Sequence, residues 1–415
     1  MKIFLNTLKF VLLPLVVIIA VFLFYLSIGF GKMSFKDDFP ETADYSIYFP
    51  ADYDAARVIF ADIIHSLQPL YENLEHKSVI VPSSFDDDLI SGMVYLPSLG
   101  ETDNLLIISS GVHGTEGYVG HAVQYLFAVK YLTPELLQQT GVVFLHAVNP
   151  YGFKHNRRVT ESNVDLNRNS SASHYLYQTV NDGYTQVYDL INPKKPVSVA
   201  SLENRFFFLK AINEIRKASM PVLRQAVLQG QYSYPEGLYF GGNGPEFQIT
   251  EMGNWLTEIM EPYSRIKIID LHTGYGERGR LHFFPNPMEE EQRQRIEDLY
   301  DGYTIDWGDT DDFYTVTGNF TGYIESLHPE KDYYPMLFEY GTMNSHTTMG
   351  SLKSIHIMIL ENQGHQHGYV SEKDSLRVKN NLMEMYNPSS PAWRNYIMAQ
   401  TQEVFEVVLP RFTSP

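Results

Sequence analysis

Leu105-Leu-Ile-Ile-Ser-Ser-Gly-Val-His-Gly-Thr-Glu-Gly117 is the stretch on which the fold turns. Its first six residues form a short apolar run that reads as a buried strand, and the glycine-rich segment after them reads as a loop. Tyr118–Leu132 then takes up helical spacing. The same succession recurs downstream, with strands expected at Val142–Val148, Ile266–Leu271 and Met336–Tyr340, the first of them ended by Asn149-Pro-Tyr-Gly152. Upstream, Ala51–Leu67 reads as a helix, and Ser78–Val81 and Leu89–Leu96 read as strands on either side of the acidic turn Asp86-Asp-Asp88. Strands interleaved with helices predict an α/β fold: a mixed, largely parallel twisted sheet flanked by helices.

Composition narrows the chemistry. The 415 residues are 44% hydrophobic and 19% charged, enough for a sizeable core. Asp plus Glu number 49 against 31 Lys plus Arg, a formal charge of −18. A surface that acidic repels phosphate backbones, which argues against nucleic acid as a partner. The chain has no cysteine, which removes disulfides, thiolate metal sites and thiol mechanisms together. Any metal must be held by His, Asp and Glu.

The N-terminus reads as a membrane segment. Phe10 to Phe30 contains no charged residue, and about 20 such residues span a hydrocarbon core of about 30 Å. The run is long for a cleavable signal, and Ser27-Ile-Gly29 makes a poor cleavage site. Residues 1–9 are therefore expected as a short inner tail, 10–30 as a single transmembrane anchor, and 31–50, with Pro40 and Pro50, as a stalk. One globular domain over 51–415, with an insertion at about 171–262, is expected beyond the cytoplasm, in a bacterial periplasm or on the outer face. Within the insertion, Leu202–Leu228 reads as helical and Phe206-Phe-Phe208 as packing.

In open α/β sheets, ligands bind beyond the carboxyl ends of the strands. Three such ends carry Gly111-Val-His113-Gly-Thr-Glu116, Asp270-Leu-His272 and Phe338-Glu339. His113 and Glu116, three residues apart on a turn, can reach one ion, and His272 from another strand completes a His-Glu-His set with an open position, as in zinc hydrolases. Asp270 is a candidate partner for a ligand histidine. A water-based mechanism also needs a carboxylate base, for which Glu339 stands at a strand end and Glu277 is second. Arg157, Arg158 and Arg168 suit anions, and the sequence does not choose between Arg157 and Arg158. His365 and His367, beside Gly364 and Gly368, read as a helix terminus.

Together, His113-x-x-Glu116, Asn149-Pro-Tyr-Gly152, Asp165-Leu-Asn-Arg-Asn169 and Asp270-Leu-His272 resemble the zinc carboxypeptidases, and more closely their bacterial relatives in domain-of-unknown-function family 2817. The likeness continues through Gly230–Gly242, His272–Gly276, Glu339-Tyr-Gly-Thr342 and Asn362–Gly368. The resemblance implies one zinc ion held by His113, Glu116 and His272, and Glu339 as the general base that deprotonates the attacking water. It implies Arg158 as the residue that polarises the scissile carbonyl, and Asn167 with Arg168 as the holder of the substrate's terminal carboxylate. The interval from Arg158 to Asn167 is shorter than in digestive carboxypeptidases, and the insertion should reshape the pocket. The expectation is a membrane-anchored zinc hydrolase cleaving an amide bond next to a free carboxylate, in a small peptide or an N-acyl amino acid. The alternatives are a deacylase of N-acyl amino acids rather than a peptidase, and a non-catalytic binding protein on the same fold.

Overall fold

The computed structural model describes residues 2–27, 31–307 and 318–413. At its centre lies a sheet of β1 (Glu75–Ile80), β2 (Ile90–Leu96), β3 (Asn104–Ser110), β4 (Gly141–His146), β5 (Arg265–Gly274), β6 (Leu281–Phe284) and β7 (Asp332–Gly341), in the order β1-β2-β4-β3-β5-β7-β6. The middle strands β4, β3, β5 and β7 run parallel, and the outer strands pair antiparallel. Around the sheet lie α1 (Lys2–Ser27), α2 (Tyr53–Leu67), α3 (Gly117–Lys130), α4 (Asp182–Ile191), α5 (Phe207–Ala218), α6 (Met220–Leu228), α7 (Phe247–Met260), α8 (Thr348–His367), α9 (Glu372–Tyr386) and α10 (Pro391–Thr413), with two further helices, Glu290–Leu299 and Phe320–Leu327, between β6 and β7 and short helical turns elsewhere.

Every residue of β3 and β4 is buried, because helices cover both faces of the sheet. That is why these strands read as continuous apolar runs rather than as alternating ones. Leu106, Ile108 and Phe144 pack on α3 and α10, while Leu105, Ile107 and Val143 pack on α7 from the other side. A third cluster joins α4, α5 and α6 to α8 and α9 through Val187, Phe207, Val227, Leu352 and Met385.

Several elements differ from the sequence reading. The helical stretch expected over Leu202–Leu228 is broken at Ser219, which takes a φ of 71° just ahead of Pro221. Helix α7, read as part of the insertion, covers a face of the central sheet through Ile249, Met252 and Leu256. Residues 31–50, read as a stalk, have little regular structure beyond the turn Ser46–Tyr48. They lie along the domain: Met33 N donates to Asn381 Oδ1 at 3.1 Å, Arg278 holds Asp37 at 2.6 and 2.8 Å, and Phe39 stacks on Tyr396. Among the described residues no helix is long and apolar enough to cross a membrane. Of the expected span 10–30, α1 reaches Ser27, and residues 28–30 lie outside the described residues.

Candidate active site

Parallel register builds the site. β3, β5 and β7 end at one edge, where His272 lies beside Glu339 and Asp270 beside Ser109. Asp270 and His272 are two residues apart, so they share a face of β5. Beyond β3 the chain passes Gly111, at φ 71°, and sets His113 at the head of the turn Gly114–Glu116. Gly114 N and Thr115 N donate to the carbonyls of Arg158 and Arg157, each at 3.1 Å. A Cβ on Gly114 would collide with the Gly152 backbone. Glycine is therefore what allows the His113 turn to pack against the Asn149–Gly152 turn. Asn149 caps that second turn, its Oδ1 accepting from Gly152 N at 2.9 Å and its Nδ2 donating to Arg158 O at 3.1 Å.

The donor atoms converge. Nδ1 of His113 lies 2.9 Å from Glu116 Oε1, Nδ1 of His272 lies 2.9 Å from Glu116 Oε2, and the two nitrogens are 3.2 Å apart. Among the described residues this is the one His/Asp/Glu group compact enough for a metal, and all three members are buried. Each histidine turns its other nitrogen to a carboxylate: His272 Nε2 to Asp270 Oδ2 at 2.7 Å, and His113 Nε2 to Asp165 Oδ1 at 3.2 Å. Ser109 Oγ donates to Asp270 Oδ1 at 2.6 Å and fixes that carboxylate in turn. Arg158 Nη2 lies 2.6 Å from the same His113 nitrogen, so the proton on Nε2 decides which neighbour it bonds.

The electrostatics fit a cation. Burial alone would lower the pKa of His272, yet the Asp270 and Glu116 carboxylates hold it well above its ordinary value. Burial would likewise raise Glu116, but His113 and His272 hold it below the usual carboxylate range. The pocket thus demands positive charge between these donors, which a divalent ion satisfies while leaving both imidazoles neutral as ligands. Glu339 behaves oppositely. Burial and the neighbouring Glu116 charge push it up to about 8, with Tyr275 N donating to its Oε1 at 2.8 Å.

The two adjacent arginines go opposite ways. Arg158 borders the pocket, with its Nε on Asp165 Oδ2 at 3.0 Å and its Nη1 at 3.4 Å from both Glu116 Oε1 and the Tyr386 hydroxyl. Arg157 does not border it: its Nε donates to Glu361 Oε1 at 2.9 Å and its Nη2 to Asn163 Oδ1 at 3.1 Å. Asn167 and Arg168 both border the pocket. Phe320 N donates to Asn167 Oδ1 at 2.9 Å, and Arg168 gives Nε and Nη2 to the Leu228 carbonyl at 3.0 and 2.7 Å. One cavity of about 390 Å³ joins these groups to the triad and to Glu339.

Over residues 49–400 the chain matches the family described as Protein of unknown function (DUF2817). The chain belongs to this family. It is the family that the sequence motifs had indicated. No curated protein matches this DUF2817 chain. Among solved structures it is similar to bovine thrombin-activatable fibrinolysis inhibitor in complex with tick carboxypeptidase inhibitor, at 14% identity over 82% of this chain and 97% of that one, with a TM-score of 0.42. It is also similar to carboxypeptidase A from Helicoverpa armigera (12% identity, 80% and 74% covered, TM-score 0.38) and to an aspartoacylase family protein from Mesorhizobium loti (16% identity, 72% and 68% covered, TM-score 0.30). What the DUF2817 chain can do is read from its own side chains.

Seven site residues expected from the sequence, His113, Glu116, Arg158, Asn167, Arg168, His272 and Glu339, border this one cavity. Two contributors, Asp165 and Tyr386, lie outside that expectation, while Tyr239, in a glycine-rich loop where a rim position is expected, borders the cavity. Asp165 grips His113 and Arg158 together, and its position two residues before Asn167 was the available signal. Tyr386 arrives from α9 with no local motif, and the Tyr239 ring lies against both Arg158 and Arg168, at 5.4 and 5.6 Å. Glu277, the second candidate base, does not border the cavity. His365 and His367 sit in the last turn of α8, ended by Gly368.

Proposed function

We propose that this DUF2817 protein is a zinc-dependent hydrolase of an amide bond, peptide or N-acyl, adjacent to a free carboxylate. The observation that carries the reading is the convergence of three buried donors, each histidine backed by a carboxylate, at a point bordered by Glu339 and Arg158. A His₂Glu set suits one zinc ion, which when bound acidifies water and polarises a carbonyl. The protein's own groups do the rest. Glu339 takes a proton from the attacking water and passes it to the leaving amine, and its raised pKa suits both transfers near neutral pH. Arg158 presents its charge where the carbonyl oxygen becomes negative. Asn167 and Arg168 hold the substrate's carboxylate at the other side of the scissile bond.

Replacing Glu339 by Gln removes the proton carrier while leaving the donors in place. We expect kcat to fall by about 10²–10⁴-fold at unchanged zinc content. Unchanged turnover with zinc still bound would remove Glu339 from the mechanism and favour a non-catalytic protein.

The uncharged run Phe10–Phe30, rather than any described helix, is proposed as an anchor that holds the hydrolase at a membrane, with the domain on the outer side. Supporting this are the uncharged run Phe10–Phe30 and the docking of residues 31–50, which ties that run to the domain. The docked segment would hold the site at a fixed distance from the bilayer.

A further inference from the structure

The cavity above the triad extends well past the reacting groups. Its wall includes Val187, Leu190 and Ile191 of α4, spaced as neighbours on one helical face. Facing them are Leu223 and Val227 of α6, and Ala211 of α5. Leu352 and Ile355 of α8 border the same space. Four helices thus turn apolar side chains toward space rather than only toward one another, and three of the four come from the insertion. Arg224 of α6, which is engaged by neighbours, also borders the cavity.

Besides Arg224 of α6 and Ser351 and Ser354 of α8, further polar groups border the cavity from elsewhere in the chain. Asn286, Asn319 and Thr321 lie after β6 and ahead of β7, and Asn167 is tied to that region through Phe320 N. Arg168 joins the two regions: its guanidinium is bonded to the carbonyl of Leu228, at the end of α6. A substrate seated across the triad would therefore set its carboxylate by Asn167 and Arg168 and an apolar part along α4, α5, α6 and α8. A volume of about 390 Å³ lies within the range of about 300–1,000 Å³ usual for small-molecule sites. The apolar N-terminal helix α1 also meets the insertion at α5, so the arm is built beside the segment proposed as the anchor.

We propose that the substrate is an amino acid carrying a long, unbranched N-acyl chain, and that the arm built by α4, α5, α6 and α8 takes that chain. The proposal rests on the hydrolase reading above and assigns its substrate class. The amide C–N bond breaks and a C–O bond forms from water. The products are a fatty carboxylate and the free amino acid, whose nitrogen receives the proton.

The test compares N-acetyl, N-octanoyl, N-dodecanoyl and N-hexadecanoyl forms of one amino acid on the full-length, zinc-loaded protein. Burial contributes roughly fourfold per methylene, so kcat/KM for dodecanoyl over acetyl should rise by at least about a hundredfold. Ala211→Phe fills the arm and should cut that ratio about tenfold or more, and Ala211→Leu offers a milder filling should the first fail to fold. Hydrolysis with no dependence on chain length, or an equal loss for all chains in the variants, would overturn the acyl arm and leave the hydrolase standing. Binding of a fluorescent dodecanoic acid supplies a readout free of turnover. Binding that weakens at least tenfold in Ala211→Leu supports the arm even if no amide is cleaved, in which case the hydrolase reading is what fails. Absence of binding would overturn the arm.

Discussion

His113 is held at Nε2 by Asp165, a carboxylate shared with Arg158, and the Asp165→Asn variant tests what that hold contributes. Loss of a carboxylate behind a ligand histidine weakens metal binding by about 10–100-fold, which chelator competition would read. Undiminished zinc affinity would make Asp165 a positioning group for Arg158 alone. At Arg168, the Ala variant should raise KM by about 10–100-fold for substrates with a free carboxylate, the value of a charge-assisted bond, and far less for their amides. Equal increases for both would remove Arg168 from carboxylate recognition. These residues were unequally legible. His113, Glu116 and His272 stand out because strand ends deliver them, whereas Asp165 has only its place in Asp-x-Asn-Arg and Tyr386 has no local mark. The choice of Arg158 over Arg157 is made by backbone direction in a turn, which composition does not encode.

At the scale of elements, α8 and α9 are tied to the site's framework by one buried ion pair. Arg157 donates to Glu361 of α8, and Lys379 of α9 joins it at 2.8 Å. Burial would raise the Glu361 pKa, but Arg157 and Lys379 hold it down to about 2. A lowered folded pKa contributes stability above the ordinary value of 4.5, and that contribution is lost as pH falls toward about 2. Between pH 5 and 3, then, the wild type should lose more Tm than Glu361→Ala. At neutral pH that variant should unfold about 3–5 kcal/mol more easily, because Arg157 is left buried without its carboxylate. Matching pH profiles for the two would show that the pair does not hold these elements. The elements themselves were readable where burial on both faces gives apolar runs, as in β3 and β4. Four-residue β6 is too short for a period to show. The break at Ser219 hides in a stretch of continuous helical spacing, and α7 looks like insertion in sequence because only the tertiary fold shows which surface it covers.

For the whole molecule, the proposed anchor lies at the N-terminus and the candidate metal site at the carboxyl edge of the sheet. Deleting residues 1–30 should move the protein from the membrane to the soluble fraction without changing zinc content. Retention in the membrane fraction would place the attachment elsewhere. The α/β class and the edge that carries the site could both be read from the order of strands and helices. The shape of the cavity could not, because it depends on how α4, α5 and α6 fold back over that edge. The metal site is tested most directly by zinc per chain in the full-length protein beside its His113→Ala variant, after reconstitution and removal of loose metal. The expected result is about one zinc in the parent and little in the variant, as a set of three protein ligands requires. No zinc in the parent, or equal zinc in both, would contradict it.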